Sequence, residues 1–157
     1  MRRSDREIVD RAAMREVLTN CEVLSLALMD GAYPYVIQLN FGWEECGEQL
    51  CLYFHGAKAG KKLDLIREND HAAFAMSCTH AYVPGANDCS ATFRYQSVCG
   101  RGRIEILEGA REKAHALARI MAQYAPERAH AFTDAQVHNI AILRLTVESI
   151  TGKQNIK

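Results

Sequence analysis

The sequence predicts an α+β protein: a six-stranded antiparallel barrel, partly open and flanked by helices. Three observations carry that expectation. Between residues 22 and 55, apolar side chains alternate over short segments, the period of a half-buried strand. The connections between these segments are too short for a parallel crossover, so the strands run antiparallel. A long strand candidate at 92–107 is interrupted by Gly100 and Gly102, where a small sheet can bend into a barrel.

Each element follows in order. A first helix is predicted over Asp10–Asn20, where Ala13, Met14, Val17, Leu18 and Cys21 fall at helical spacing and Asp10 can cap. "EVLSLALM" (22–29) sets Leu24, Leu26 and Leu28 on one face. Asp30-Gly31 in "MDGA" suits a tight hairpin, since glycine adopts positive φ without steric cost. "YPYVIQLNF" (33–41) alternates again, with Tyr35, Ile37, Leu39 and Phe41 together. Polar "GWEECGE" reads as a loop leading to the strand "QLCLYFH" (49–55), and the three strands form a meander. A short helix, Gly60–Glu68, stops at Asn69. "HAAFAMSC" (71–78) is a strand, and 79–91 is a loop marked by Pro84-Gly85 and Asn87-Asp88. After the long strand comes the strongest helix, 108–125, with Ala114, Leu117, Met121 and Tyr124 as its apolar stripe and Pro126 as its stop. The last strand, 138–150, turns Ala141, Leu143, Leu145 and Val147 inward. The order is α-βββ-α-ββ-α-β, in a single domain over residues 1–157.

Nineteen basic residues balance nineteen acidic ones, which argues against a general nucleic-acid binder. No stretch has the unbroken apolar length of a membrane span. The basic N-terminus lacks the apolar core of a secretory signal, so the expected location is the cytoplasm, with no membrane partner. None of the six cysteines forms a C-x-x-C pair. The expectation is reduced thiols and no metal site, with Cys51, Cys78 and Cys99 packed as small hydrophobes. His80 beside Cys78 is the nearest approach to a ligand pair.

The segment with most chemistry is "LYFHGAKAGKKLDLIREN" (52–69). A strand stops at His55, a turn of Gly and Ala carrying Lys58 follows, and a helix begins with Lys61 and Lys62. The first turn of a helix has unpartnered N–H groups and partial positive charge, so a cation there is unfavourable unless an anion compensates. Gly56 and Gly60 permit close backbone approach. Two readings stand side by side: a phosphate-binding turn, or a solvated turn whose lysines serve solubility. It is not a Walker motif, because Leu63 stands where Ser or Thr is required.

These residues carry a resemblance. "DGAYPYVIQLNFGW", "LCLYFHGAKAGKKLDLI", "FRYQSVCGRGRIEILEGAREKAHAL" and "ESITGKQ" resemble the pyridoxamine 5′-phosphate oxidase-like flavin-binding split barrels, and most closely their nitroimidazole-resistance type. The resemblance implies a homodimer with FMN, or FAD, at the subunit interface, acting on a small-molecule substrate. It places Ile37, Gln38 and Leu39 beside the flavin ring and His55, Gly56 and Ala57 at the strand end near the cofactor. Lys61 and its neighbour Lys62 fall on the phosphate, and Ser97 supplies a polar contact from a later strand. Some relatives of this fold bind haem, which makes haem a further cofactor alternative.

The departures narrow the activity. The vitamin-B6 oxidases end in an Arg-Leu-x-Pro segment that binds substrate, whereas this chain has Arg144-Leu145-Thr146-Val147 and ends in "TGKQNIK". Oxidation of pyridoxine phosphate is therefore not expected. Ala59 and Gly60 also replace side chains that would donate to a phosphate. Reduced flavin gains negative charge near N1, and Lys153, Arg94 or Arg101 are the cations that would favour it. The expected reaction is NAD(P)H-linked reduction of electron-poor organics such as nitro compounds, with a non-catalytic flavin- or haem-binding protein as the alternative. His55 is the one catalytic candidate; strand capping, a substrate-side proton donor and a haem ligand are its possible roles.

Overall fold

The computed structural model describes residues 3–156. A 3₁₀ turn, Ser4–Arg6, leads to β1 (Glu7–Ile8) and α1 (Arg11–Asn20). Two hairpins follow, β2 (Leu24–Asp30) with β3 (Tyr33–Leu39), and β4 (Gly42–Cys46) with β5 (Gln49–Gly56). Then come α2 (Lys61–Glu68), β6 (His71–Val83), β7 (Thr92–Ile106), α3 (Ala110–Tyr124), α4 (Asp134–His138) and β8 (Ala141–Asn155). The strands form one sheet in the order β3-β2-β6-β7-β8-β5-β4, with β1 added on β8, and every pairing is antiparallel. β3 and β4 end this order, so the sheet curls round a core without closing. The class is α+β, as expected.

Four expectations need correction. The sheet has eight strands rather than six. The segment read as a polar loop is β4, which pairs with β5 through a turn where Gly47 has φ +67°. It lacked a strand signal because Glu45 and Cys46 face solvent on an edge. The expected meander also breaks after its second strand: β3 pairs only with β2, while β5 crosses to β8. Finally, β6 runs five residues past its predicted end, through a bulge between Cys78 and Ala81 where Thr79 adopts φ +59°. The fifteen-residue β7 offers ladder partners on both sides, and partner length rather than local sequence extends β6 and β8.

The main core lies inside the curl. Leu24, Leu26 and Leu28 meet Leu52, Phe54, Phe74, Leu143 and Leu145 there, with Val17 and Leu18 of α1 and Leu63, Leu65 and Ile66 of α2 packed against them. Tyr35, Ile37 and Leu39 line its edge. Asp10 caps α1 by accepting from the Ala13 N–H at 2.9 Å, and the Asn69 N–H closes α2 on the Leu65 carbonyl at 2.9 Å. A second, smaller core sits outside β5, where Cys51, Tyr53 and Ile142 pack under Leu107, Ala116 and Ile120.

That second core corrects the predicted face of α3. Ala116 and Ile120 are its buried residues, whereas Met121 and Tyr124 are exposed. A Cβ on Gly42 would overlap the Arg119 backbone, so the helix lies directly on the start of β4, and this close approach sets its rotation. Tyr124 serves by its hydroxyl, which donates to the Glu22 carbonyl at 2.7 Å and accepts from the Phe41 N–H at 3.0 Å.

The cysteines divide by strand face. Cys21, Cys51 and Cys78 are buried, but Cys99 is exposed, because Val98 takes the inward position on β7. Burial and the neighbouring Cys78 push the Cys21 thiol up to about 12, which keeps it a protonated apolar group.

Candidate functional site

The candidate site is built where β5 ends. β5 is buried on both faces as far as Phe54, then emerges: His55 is exposed, Gly56 is half-buried, and Ala57, Lys58, Ala59 and Gly60 form an open turn. Gly60 takes φ +129° at the N-cap of α2, a conformation that glycine alone adopts readily. Its carbonyl accepts from the Leu63 and Asp64 N–H groups at 2.9 and 3.3 Å. No side chain caps this end, and among the described residues the amides of Lys61 and Lys62 have no acceptor. The donors that sequence reasoning anticipated are therefore free.

The two lysines differ. Lys61 forms an ion pair with Asp30 of the β2–β3 hairpin and lies 5.5 Å from the centre of the Tyr35 ring. Lys62 is half-buried and has no carboxylate partner among the described residues. Burial lowers its pKa. Its ammonium nitrogen sits over Gly56, 2.8 Å from where a Cβ on that residue would be. A Cβ there would displace the ammonium from this position. A desolvated cation beside free amides is an arrangement that an anion completes.

The remaining predicted residues lie elsewhere on the chain. Ile37 and Leu39 point into the barrel, so they support the site from within. Gln38 points outward and donates to the Ser25 hydroxyl at 2.8 Å. Together with Ser97, Ala75, Ser77 and Cys99 it lines a groove of about 400 Å³ on the outer face of the sheet. Ser97 donates to the Lys153 carbonyl at 3.3 Å, and the Lys153 ammonium lies 5.8 Å from the Tyr95 ring centre. None of the turn residues lines that groove. Within one chain the predicted residues thus form two part-sites, one at the turn and one on the sheet face.

The other candidates are accounted for by local partners. Arg144 pairs with Glu105 at 2.9 Å and is not free to bind a substrate in this arrangement. His80 is exposed and hydrogen-bonds Ser77 at 3.0 Å, while Cys78 is buried, so the two do not converge on a metal.

One cluster escaped the sequence reading because β4 was taken for a loop. The Tyr53 hydroxyl donates to Glu44 Oε1 at 2.6 Å, His115 Nε2 lies 2.6 Å from the same oxygen, and Arg119 Nε is 3.6 Å from Oε2. Burial works against ionisation of Glu44, yet the bonds from Tyr53 and His115 hold its carboxyl below the usual range. A depressed carboxyl contributes stability above the ordinary carboxylate pKa and loses it as pH falls through the depressed value. Glu44→Gln is therefore expected to destabilise the protein by about 1–3 kcal/mol near pH 7 and by much less near pH 3. Urea unfolding at both values checks this; a gap that stays constant with pH would contradict it.

The chain is similar to known proteins over most of its length. Residues 10–154 match the family model described as pyridoxamine 5′-phosphate oxidase. A candidate 5-nitroimidazole antibiotic resistance protein of Bacteroides thetaiotaomicron is 28% identical, with a TM-score of 0.81, covering 94% of this chain and 86% of that one. An FAD- and heme-binding protein of Mycobacterium smegmatis is 19% identical with a TM-score of 0.82, covering 97% of this chain and 74% of that one. The flavocytochrome Anf3 of Azotobacter vinelandii, also 19% identical, has a TM-score of 0.79 and covers 100% of this chain and 72% of its own. No curated protein matches the chain.

Proposed function

The chain belongs to the pyridoxamine 5′-phosphate oxidase family, and from that premise we propose that it is a flavin-dependent reductase, holding FMN at the interface of a homodimer. The substrates are small electron-poor organics, nitroimidazoles among them, and the electron donor is NAD(P)H. The observation that carries this reading is the half-buried Lys62 over Gly56, beside the free amides that open α2. Lys62 and those amides hold the phosphate, and Lys61, already paired with Asp30, contributes less. When bound, the flavin supplies hydride chemistry. The protein binds and orients it, and shields it from water.

The two part-sites explain why a dimer is needed. The outer face of β3, β2 and β6 displays Val36, Val23, Ala27, Met29, Ala73 and Ala75, an apolar sheet surface that no element among the described residues covers. A second copy seated on it would bring its own turn towards this chain's Gln38, Ser97 and Lys153. That completes one flavin site from two subunits. Ala73→Arg, placed in the middle of that face, is expected to convert dimer to monomer in light scattering and to lose flavin with it. A variant that stays dimeric and yellow would overturn this interface.

Arg144 is paired with Glu105 and is followed by Leu145-Thr146-Val147, not by the Leu-x-Pro of a vitamin-B6 oxidase, so oxidation of pyridoxine phosphate is left out of the proposal. A second reading, a flavin or haem carrier without turnover, is favoured by the exposed His55, whose ring has no hydrogen-bond partner among the described residues. The spectrum of purified protein separates the two. Flavin bands that bleach with NAD(P)H and a nitroimidazole support the reductase, and a Soret band supports haem binding through His55. Colourless protein that ignores added FMN would end both readings.

A further inference from the structure

A cationic groove of about 340 Å³ opens on the barrel end beside the flavin turn. Its rim carries Lys58 from the turn, Arg67 of α2, Lys113 of α3 and His138 at the end of α4, with Glu108 as the one carboxylate. Its floor is Leu63, Ile106, Ile140 and Ala141. Four basic side chains from four separate segments converge here. Among the described residues only Arg67 has a carboxylate partner, Asp64 at 3.0 Å. Lys58 and Lys113 have none. Two cations without partners on one groove are an arrangement that a ligand anion compensates. The apolar floor beneath them suits a planar body rather than a bare inorganic ion.

We propose that this groove binds a nucleotide, its phosphate on Lys58 and Lys113 and its base against Leu63, Ile106 and Ile140. The groove adjoins the flavin turn: Ala141 pairs with Gly56 across β8 and β5, and Lys58 lies two residues beyond Gly56. The nucleotide therefore has two possible sources. It is the adenylate half of a dinucleotide whose flavin half occupies the turn, an outcome that rests on the flavin reading, or it is a separate mononucleotide.

The test is a titration of methyl-labelled protein with AMP, in the free, FMN-saturated and FAD-saturated states. Saturable shifts of the Leu63, Ile106 and Ile140 methyls are expected, and Lys113→Glu should weaken AMP by about tenfold or more. Exclusion of AMP by FAD but not by FMN, with Lys113→Glu also weakening FAD, identifies the adenylate half. Equal AMP binding in all three states identifies a separate nucleotide. Absence of these methyl shifts at millimolar AMP, or wild-type AMP affinity in both Lys113→Glu and Lys58→Glu, would overturn the proposal. Thermal melts establish that both variants are folded. Protein that binds AMP but not FMN would keep the groove and remove the flavin reading, and the reverse result would do the opposite.

Discussion

Lys62→Ala is expected to weaken FMN binding by about 10–100-fold, while riboflavin binding falls by about threefold at most. The two ligands share the ring and differ in the phosphate, so the ratio isolates the phosphate contact. Lys62 should dominate over Lys61 because Lys61 already satisfies Asp30 and stands in solvent, whereas Lys62 is half-buried with no counter-ion among the described residues. An ion pair that must first be shared yields less to a new anion than a cation that has none. Lys61→Ala should therefore give a smaller loss of FMN, and part of it will come from the uncovered Asp30 carboxylate. The pH dependence follows from the same burial. Lys62 has a lowered pKa in the free protein, and a phosphate beside it raises that value again. Between the two values FMN binding takes up a proton, so affinity declines as pH rises through that window. Calorimetry in buffers of different ionisation enthalpy reads the proton directly. Equal losses for FMN and riboflavin in Lys62→Ala would show that the turn does not hold a phosphate.

Gly102→Ala is expected to destabilise the fold by about 3 kcal/mol or more, the largest stability effect of any single methyl addition proposed here. A Cβ at this position would overlap the Thr146 carbonyl oxygen and come within 3.0 Å of the Val147 Cα. These are backbone atoms of β8, and they cannot rotate away. The overlap sits at the register shift between Arg101 and Gly102, where β7 bends against β8. Relief would require a slip of one residue, which would turn the core residue Ile104 outward and Arg103 inward. Gly31→Ala is the control. It meets nothing within 4 Å, and its φ of +61° makes it cost only about 1 kcal/mol. Urea midpoints of the two variants measure the difference. A Gly102→Ala midpoint equal to that of Gly31→Ala would mean that the two strands do not approach as described.

The fold was legible wherever a segment buries one face. Leu24, Leu26 and Leu28 alternate because the core lies on one side of β2, and Ala141, Leu143, Leu145 and Val147 do so on β8. The Asp-Gly hairpin, the Asp10 cap and the Asn69 stop depend on backbone chemistry within a few residues, and all three hold. Legibility failed where the partner decides. β4 has no periodicity of its own and becomes a strand because β5 offers an edge and α3 covers it. The stripe on α3 was misplaced by a small rotation, because helical spacing fixes which residues share a face but not which of two adjacent faces meets the sheet.

Sequence alone determined the class, most strand positions, the glycine-and-lysine turn and the family likeness, since each is written in contiguous residues that act over a few ångströms. Tertiary structure decided the rest: that Lys61 is claimed by Asp30 while Lys62 is not, that Gln38, Ser97 and Lys153 lie on another face from the turn, and that Lys58 and Lys113 share a groove. Charge and burial depend on what a side chain meets across the barrel, and residues about thirty or more positions apart cannot announce that meeting in the order of the chain.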